Sequence, residues 1–462
     1  MAFSLEQTTV VSWNHREKVI FRFIFSYLML QAVPLDWKYY QHVLSINWLQ
    51  LQFADIFNIS RYTPQFLHHI KSVDFWGLNT LLDWLFLVII AGALTWIWSW
   101  IAQKKGLKWN YDRLYYVLRV VLRYRLAIGV IAYGLIKVFP LQAPNPSLSN
   151  FNTNYGDLSA WKIFSLSLGI APSFEVFLGS LEVLGGLLLL YRRTTAIGAF
   201  LILVFQGNVF LSNLAYEGGE AIYSLYLLQM AAFLLLHDIR RIILVFSLAK
   251  PAQPDKYRPV YAHAWQQKLR IGLKSAFVFF FVGLAGYKAY AVYTEGSYQY
   301  PETPGLTNAR GLYNVREFRF NGREIPYDKK DTVRWQNVVF EEWSTLSIKT
   351  AATIQPWHAT SEVFHRDDRD RLYELGGTAS RHYYHYRIDS AAHVLYLENK
   401  NPHYAGDQFV LHYERPDAYT LVVSGTTAAG DSVTAVLDRL DKKYLREELQ
   451  RTGGRRGNEL IL

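Results

Sequence analysis

Between residues 19 and 291 the chain carries about seven apolar stretches that reach or approach the lower limit of roughly 17 residues for crossing a hydrocarbon core. They run from about Val19 to Leu35, Leu78 to Ile101, Tyr115 to Phe139, Pro172 to Leu190, Thr195 to Leu214, Ala221 to Leu236 and Ser275 to Ala291. The loops between them alternate in basic charge. Residues 102–114 hold Lys104, Lys105, Lys108 and Arg113; the 191–194 turn holds Arg192 and Arg193; residues 237–274 hold eight Lys and Arg, among them Arg240, Arg241, Lys256 and Arg258. The intervening segments are poorer: 36–77 has Lys38, Arg61 and Lys71, and 140–171 has Lys162 alone. By the positive-inside rule this predicts a cytoplasmic N-terminus and places everything beyond the seventh span on the exoplasmic side, the periplasm if the cell is bacterial.

The chain is 51% apolar and 19% charged over 462 residues, and its mean hydropathy is near zero because a membrane half and a polar half average out. The expected division is a helical membrane region at 1–291, a linker at 292–311 and an exoplasmic β domain at 312–462. A net charge of +10 lies largely beside the spans, where it sets orientation and meets anionic lipid; it is no argument for nucleic acid. With no cysteine, the chain has no disulfide, thiolate metal site or thiol relay of its own. The first 18 residues are too weakly apolar for a cleaved signal, so the first span is expected to anchor the chain directly. Residues 36–76 are aromatic and amphipathic, and read as an interfacial collar over short helices or as a lid. The connection 237–274 is read as a cytoplasmic loop, where Pro251, Pro254 and Pro259 argue against a continuous helix.

Ionisable groups inside a span are costly unless paired or hydrated, so they mark the candidate site. Arg119, Arg123, Arg125 and Lys137 lie on the third span; Glu175 and Glu182 lie on the fourth, seven residues and about 10 Å apart on one face. Matching by depth pairs Glu175 with Lys137 and leaves Glu182 to Arg125 or a neighbouring donor. Gln206 and Asn208 follow on the fifth span, and Tyr223, Tyr226 and Gln229 form a stripe on the sixth. The candidate polar cleft is therefore Arg125, Lys137, Glu175, Glu182, Gln206, Asn208, Tyr226 and Gln229, with Glu182 the best candidate for chemistry. The bland reading of the same residues is structural glue between helices. Gly129, Gly134, Gly179, Gly185 and Gly186 would permit close helix approach.

The stretch RLAIGVIAYGLIKVF, followed by PSFEVFLGSLEVLGGLLLLYRRTTAIGAFLILVF, resembles the DoxX/DoxD-like membrane family over residues 120–240. The shared features are an Arg and a Gly-x-x-x-x-Gly-x-x-Lys in one helix, a Glu upstream of basic residues in the next, and then a small-residue helix. The resemblance implies a four-helix core, matches Arg125, Lys137 and Glu182 to family positions, and associates the chain with quinone-linked redox complexes, although many members have no assigned activity; the chain's own residues call for no cofactor, and quinone chemistry would come through a bound quinone or a partner's cofactor. The leading spans, the last span and the C-terminal domain lie outside it.

Beyond residue 311 the pattern turns to strands. LYNVREFRF ends in Asn321-Gly322, a tight-hairpin dipeptide, and seven further candidates follow, from TVRWQNVVFEEW to SVTAVLDRL. Alternation puts Val394 with Tyr396, and Phe409 with Leu411 and Tyr413, on common faces. An antiparallel barrel or sandwich is expected. His358, His365, His382, His385, His393, His403 and His412 lack metal-ligand spacing; His382 and His385 should point to opposite faces of one strand. HRDDRDR at 365–371 reads as a solvated charged loop. The candidate recognition surface is aromatic: Trp335, Trp343, Tyr383, Tyr384 and Tyr386, about half of them expected in the core.

No nucleotide loop, nucleophile elbow, haem or zinc signature is present, so no intrinsic catalysis is indicated and no metal is expected. The leading expectation is an inner-membrane subunit of an envelope complex whose β domain binds a partner protein. The alternatives are a quinone-linked oxidoreductase or its membrane subunit, and a lipid or small-solute transporter.

Overall fold

The structure is a computed structural model and describes residues 13–64, 66, 78–107, 109–251, 263–295, 298–358, 365, 367–445 and 447. Lys71, Lys108, Pro254, Lys256, Arg258, Pro259 and Arg366, most of the first 18 residues and the stretch 448–462 lie outside the described residues, as do 67–76 of the interfacial segment. The chain forms two compact units. One holds the residues up to 143 and the return from 171 to 295; the other holds 144–170 together with the chain from 298 onward.

The helical unit begins with α1 (His15–Ala32), where Asn14 accepts from Glu17 N and Glu17 returns the bond to Asn14 N, so both first-turn donors are satisfied. It continues through α2 (Trp37–Ser45), α3 (Phe53–Ser60), α4 (Leu78–Lys104) and α5 (Tyr111–Val138). Two helices, α6 (Leu148–Phe151) and α7 (Ala160–Ile170), then belong to the other unit. The chain returns through α8 (Pro172–Leu189), α9 (Thr195–Ala215), α10 (Ala221–Leu236), the short α11 (Ile239–Ile242), α12 (Ala264–Val278) and α13 (Ala285–Glu295); a wider π turn at Phe279–Leu284 joins the last two. Among the described residues, five helical stretches, beginning at His15, Leu81, Pro172, Thr195 and Ala264, are long and apolar enough to cross a membrane. α5 and α10 occupy predicted span positions but differ in kind: α5 carries several Arg and Lys, and α10 has only 16 residues.

α5 and α8 touch through glycine. A Cβ on Gly179 would lie 2.5 Å from Val138 N and 2.6 Å from Gly134 O, so only glycine lets these backbones meet. α3 buries Phe53, Ile56 and Phe57 within the unit. α2 keeps the amphipathic character, with Trp37 and Leu44 exposed.

In the second unit, β1 (Gly311–Phe320), β2 (Arg323–Glu324), β3 (Asn337–Phe340), β4 (Thr345–Lys349), β5 (Arg381–Asp389), β6 (Val394–Asn399), β7 (Gln408–Glu414), β8 (Thr420–Thr427) and β9 (Ser432–Leu440) are all antiparallel. β1 pairs with β9, so eight strands close into an up-and-down barrel to which β2 is a two-residue appendage. Asn321 (φ 50°) and Gly322 (φ 72°) make the tight turn between β1 and β2, both in the left-handed region that this turn type requires. Gly425 on β8 is equally constrained: a Cβ there would stand 1.8 Å from Val410 O on β7.

Alternating side chains fill the interior, among them Phe318, Trp335, Phe340, Leu346, Tyr384, Tyr386, Leu395, Leu397, Phe409, Leu411 and Tyr413. On β6 the face shared by Val394 and Tyr396 is the outer one, with Val394 buried there. Leu395 and Leu397 point into the core, whereas Tyr396 is exposed.

The predicted aromatic recognition surface does not form. Trp335, Tyr384 and Tyr386 lie in the barrel core, Tyr383 is buried on the outer face, and Trp343 stacks on Tyr300 at a 4.3 Å ring separation. Alternation failed here because both faces of this part of the sheet are covered: Thr345, Leu346, Ser347 and Ile348 are all buried along β4. Residues 144–170 provide the outer covering. Ser149 reaches Ser347, Asn152 O meets Arg381, and Ser159 N donates to Gly377 O.

The stretch expected to be a linker is likewise packed, with Leu306 and Ala309 in the barrel core and Leu306 N donating to the Tyr386 hydroxyl. Nor is the 365–371 segment a purely solvated loop. Arg371 is buried, donates to Tyr300 O and pairs with Glu302, while Asp368 accepts from Glu302 N and Thr303 N.

Candidate functional site

Lys137 stands at the end of α5 and Glu182 at the middle of α8. Lys137 Nζ lies 2.6 Å from Glu182 Oε1, and Gln206 Nε2 from α9 donates to the same oxygen at 3.3 Å. The Lys137 and Glu182 side chains are 10% and 2% exposed, so the pair is desolvated. Glu182 Oε2 is buried and has no hydrogen-bond partner among the described residues.

The depth-matched pairing of Lys137 with Glu175 is overturned. The glycine contact brings the Lys137 Cβ to the level of Gly179, between the two carboxylates, and depth does not choose between them. Partners do: Glu175 Oε1 accepts from Ala143 N at 3.2 Å, while Gln206 stands beside Glu182.

Arg125 is not the partner of Glu182 either. Its guanidinium donates to Ser60 O at 2.9 Å, to Tyr62 O, and to the Tyr226 hydroxyl at 3.0 Å, between the rings of Tyr62 and Tyr226. The Tyr226 hydroxyl in turn donates to Gln31 O at 2.9 Å. The cation thus closes the C-terminal end of α3, where carbonyls without helical partners collect and the helix dipole favours positive charge.

The eight predicted residues therefore do not line one cleft. Lys137, Glu182 and Gln206 form one group and Arg125 with Tyr226 another. Gln229 accepts from Tyr27 on α1, and Asn208 is exposed with its oxygen taken by Ser212. The stripe on α10 disperses because two steps of three residues rotate about 120° around a helix. Tyr223 and Tyr226 consequently stay buried near α5, whereas Gln229 turns towards α1.

Two further polar groups escaped the sequence reading. Arg61 pairs with Glu220, whose other oxygen accepts from the Tyr133 hydroxyl at 2.8 Å. In the barrel unit, Glu341, Glu374, Lys400, Lys162 and Arg381 are all buried on the covered outer face. Glu341 accepts from Leu148 N, Ser149 N and Ser149 Oγ; Glu374 accepts from Trp343 Nε1 at 2.7 Å and lies 3.5 Å from Lys400. Burial pushes Glu341 up to about 7, with Glu374 adding to the shift, and brings Lys162 down to about 7 against the pull of Glu374. The available signal was Lys162 itself, a single cation in the apolar helix AWKIFSLSLGI.

The group on α5, α8 and α9 has a defined chemical capacity. An ammonium and an amide supply donors, and one carboxylate oxygen keeps an open acceptor in a low-dielectric setting where an unmade hydrogen bond is expensive. It can accept a hydrogen bond from an O–H or N–H of a ligand. Among the described residues no cluster of His, Asp or Glu could hold a metal ion.

No protein-family model and no solved structure matches the chain. It is 32% identical over 123 residues to the uncharacterized protein YwoB of Bacillus subtilis (strain 168); the match covers 26% of this chain and 77% of that protein. A membrane-type helical unit and a closed barrel are thus joined in a chain that belongs to the YwoB family.

Proposed function

We propose that the chain is an inner-membrane protein of seven spans that binds a lipid-soluble quinone or quinol beside Glu182, with its barrel on the exoplasmic side. The observation that carries this reading is the second oxygen of Glu182, buried and without a hydrogen-bond partner among the described residues, next to Lys137 and Gln206. A quinol hydroxyl would satisfy that oxygen, and a quinone carbonyl would accept from Lys137. The resemblance to DoxX-like proteins over residues 120–240 supports the same class of ligand.

Parity supports the span count. Residues 144–170 and the chain beyond 298 share one folded unit, which must lie on one side of a bilayer. The chain between them then crosses an even number of times, as it does if α8, α9, α10 and the α12–α13 helix all span. The basic residues at 102–113, 192–193 and 237–274 support the opposite side as cytoplasmic.

The test is extraction of quinone from protein purified in native lipid nanodiscs, with Glu182→Gln compared with wild type. Stoichiometric quinone that is depleted in the variant supports the reading. Absence of quinone from both defeats it.

A second reading is membership of an envelope complex through the barrel. Its interior is packed with side chains, so the barrel's outer surface is where it would engage other molecules. Copurification from gently solubilised membranes tests this, and a consistently solitary chain counts against it.

A further inference from the structure

Among the groups that fasten residues 144–170 to the rest of the barrel unit, beside Arg381 and Lys442 on Asn152, are two buried ionisable groups of opposite kind. At the first, Glu341 accepts from Leu148 N at 3.1 Å, Ser149 N at 2.7 Å and Ser149 Oγ at 2.6 Å. At the second, Lys162 Nζ donates to Tyr373 O and stands 4.0 Å over the Tyr373 ring. Both fasteners are buried when the segment is docked, and releasing it would return both to water. We propose that residues 144–170 form a latch whose hold on the barrel depends on pH through Glu341 and Lys162.

The surrounding charges define what the two groups sense. Glu374, from the loop before β5, faces both, and Lys400 after β6 lies 3.5 Å from it. β5 contributes Arg381 and Tyr383, with His385 on the side of Lys400; Tyr300 comes from the segment before β1, and Tyr444 lies beside Arg381. Burial brings Arg381 down only to about 10, and burial raises Tyr300 and Tyr383, so these three keep their protons at neutrality. Glu341 and Lys162, each at about 7, change charge there.

The two act in opposite directions. Glu341 is raised from 4.5, so its contribution to docking is full below that value and is lost as pH rises to about 7. Lys162 is lowered from 10.5, so its contribution is full above that value and is lost as pH falls to about 7. The latch holds least tightly near neutrality and tightens on both sides.

The cysteine-free chain allows a direct measurement. Ser380 is buried beside Thr378 and Ala379, which pair with Leu158 and Asp157 of the latch. Full-length Ser380→Cys in nanodiscs is labelled with a disulfide probe from pH 5 to 9, each rate divided by that of the same variant unfolded. The normalised rate should peak near pH 7, about tenfold above its value at pH 5 or 9. Glu341→Gln should abolish the fall towards acid, and Lys162→Met the fall towards alkali. Hydrogen exchange of residues 148–165 in the unsubstituted protein, corrected for intrinsic rates, should peak at the same pH and serves if the cysteine variant does not fold. A flat profile, or both limbs surviving in both variants, overturns the proposal.

Discussion

Lys137 reaches across from α5 to Glu182 on α8 at 2.6 Å, while Glu175, on the same helix, accepts from Ala143 N at 3.2 Å. Removing one member of a desolvated ion pair strands the other, at about 3–5 kcal/mol. Lys137→Met and Glu182→Leu should each destabilise the helical unit by that order, and the double variant by clearly less than the sum. Thermal unfolding in detergent, read as a double-mutant cycle, measures this; additive losses would show that the pair is not energetically coupled.

Gly179→Ala should cost about 1–3 kcal/mol, because its Cβ would collide with the α5 backbone, which has nowhere to move without parting the helices. Gly92→Ala on α4 is the control. Its Cβ meets nothing within 4 Å, so the variant should be neutral or gain up to about 1 kcal/mol of helix propensity. Equal melting temperatures for the two variants would contradict the close approach.

Arg125→Ala should release the end of α3. Ser60 O and Tyr62 O would lose their donor inside the unit, at about 1–3 kcal/mol each. Hydrogen exchange should show lost protection in residues 53–62 with α8 and α9 unaffected. Arg125→Lys should restore part of it, since one ammonium cannot reproduce the planar fork that meets two carbonyls and a hydroxyl.

Residues 298–447 expressed without 144–170 should unfold at a lower urea concentration, and joining 144–170 to them should restore the higher midpoint. Without the covering segment, Glu341 loses all three of its donors and Tyr383 its outer packing. A sharp, unchanged transition in the shorter fragment would show that the covering is dispensable.

Local signals were legible where one rule governed. The apolar runs became helices, Asn321-Gly322 became the turn, and the β7 alternation Phe409, Leu411 and Tyr413 became core. Legibility failed where two distant segments decided the outcome together. Alternation could not show that Tyr383 is covered on the outer face, because the segment that reaches it, at Asn150, lies some two hundred residues earlier. Arg125 looked like a partner for Glu182 because its true acceptors are backbone carbonyls, which no side-chain pattern announces. Glu182 stood out as an ionisable residue in an apolar run, but its pairing with Lys137 depended on a glycine contact that sets helix register.

The pairing of β1 with β9 also limits how the barrel can be recognised. An open sheet offers an unpaired strand edge, onto which an extended peptide can add as a further strand using main-chain hydrogen bonds alone. Here each of the eight barrel strands is flanked on both sides, and β2 contributes two residues of edge. Among the described residues, strand addition would find only the two-residue edge of β2, so a partner that recognised this domain would do so through side chains and turns, where single substitutions can alter selectivity without disturbing the fold.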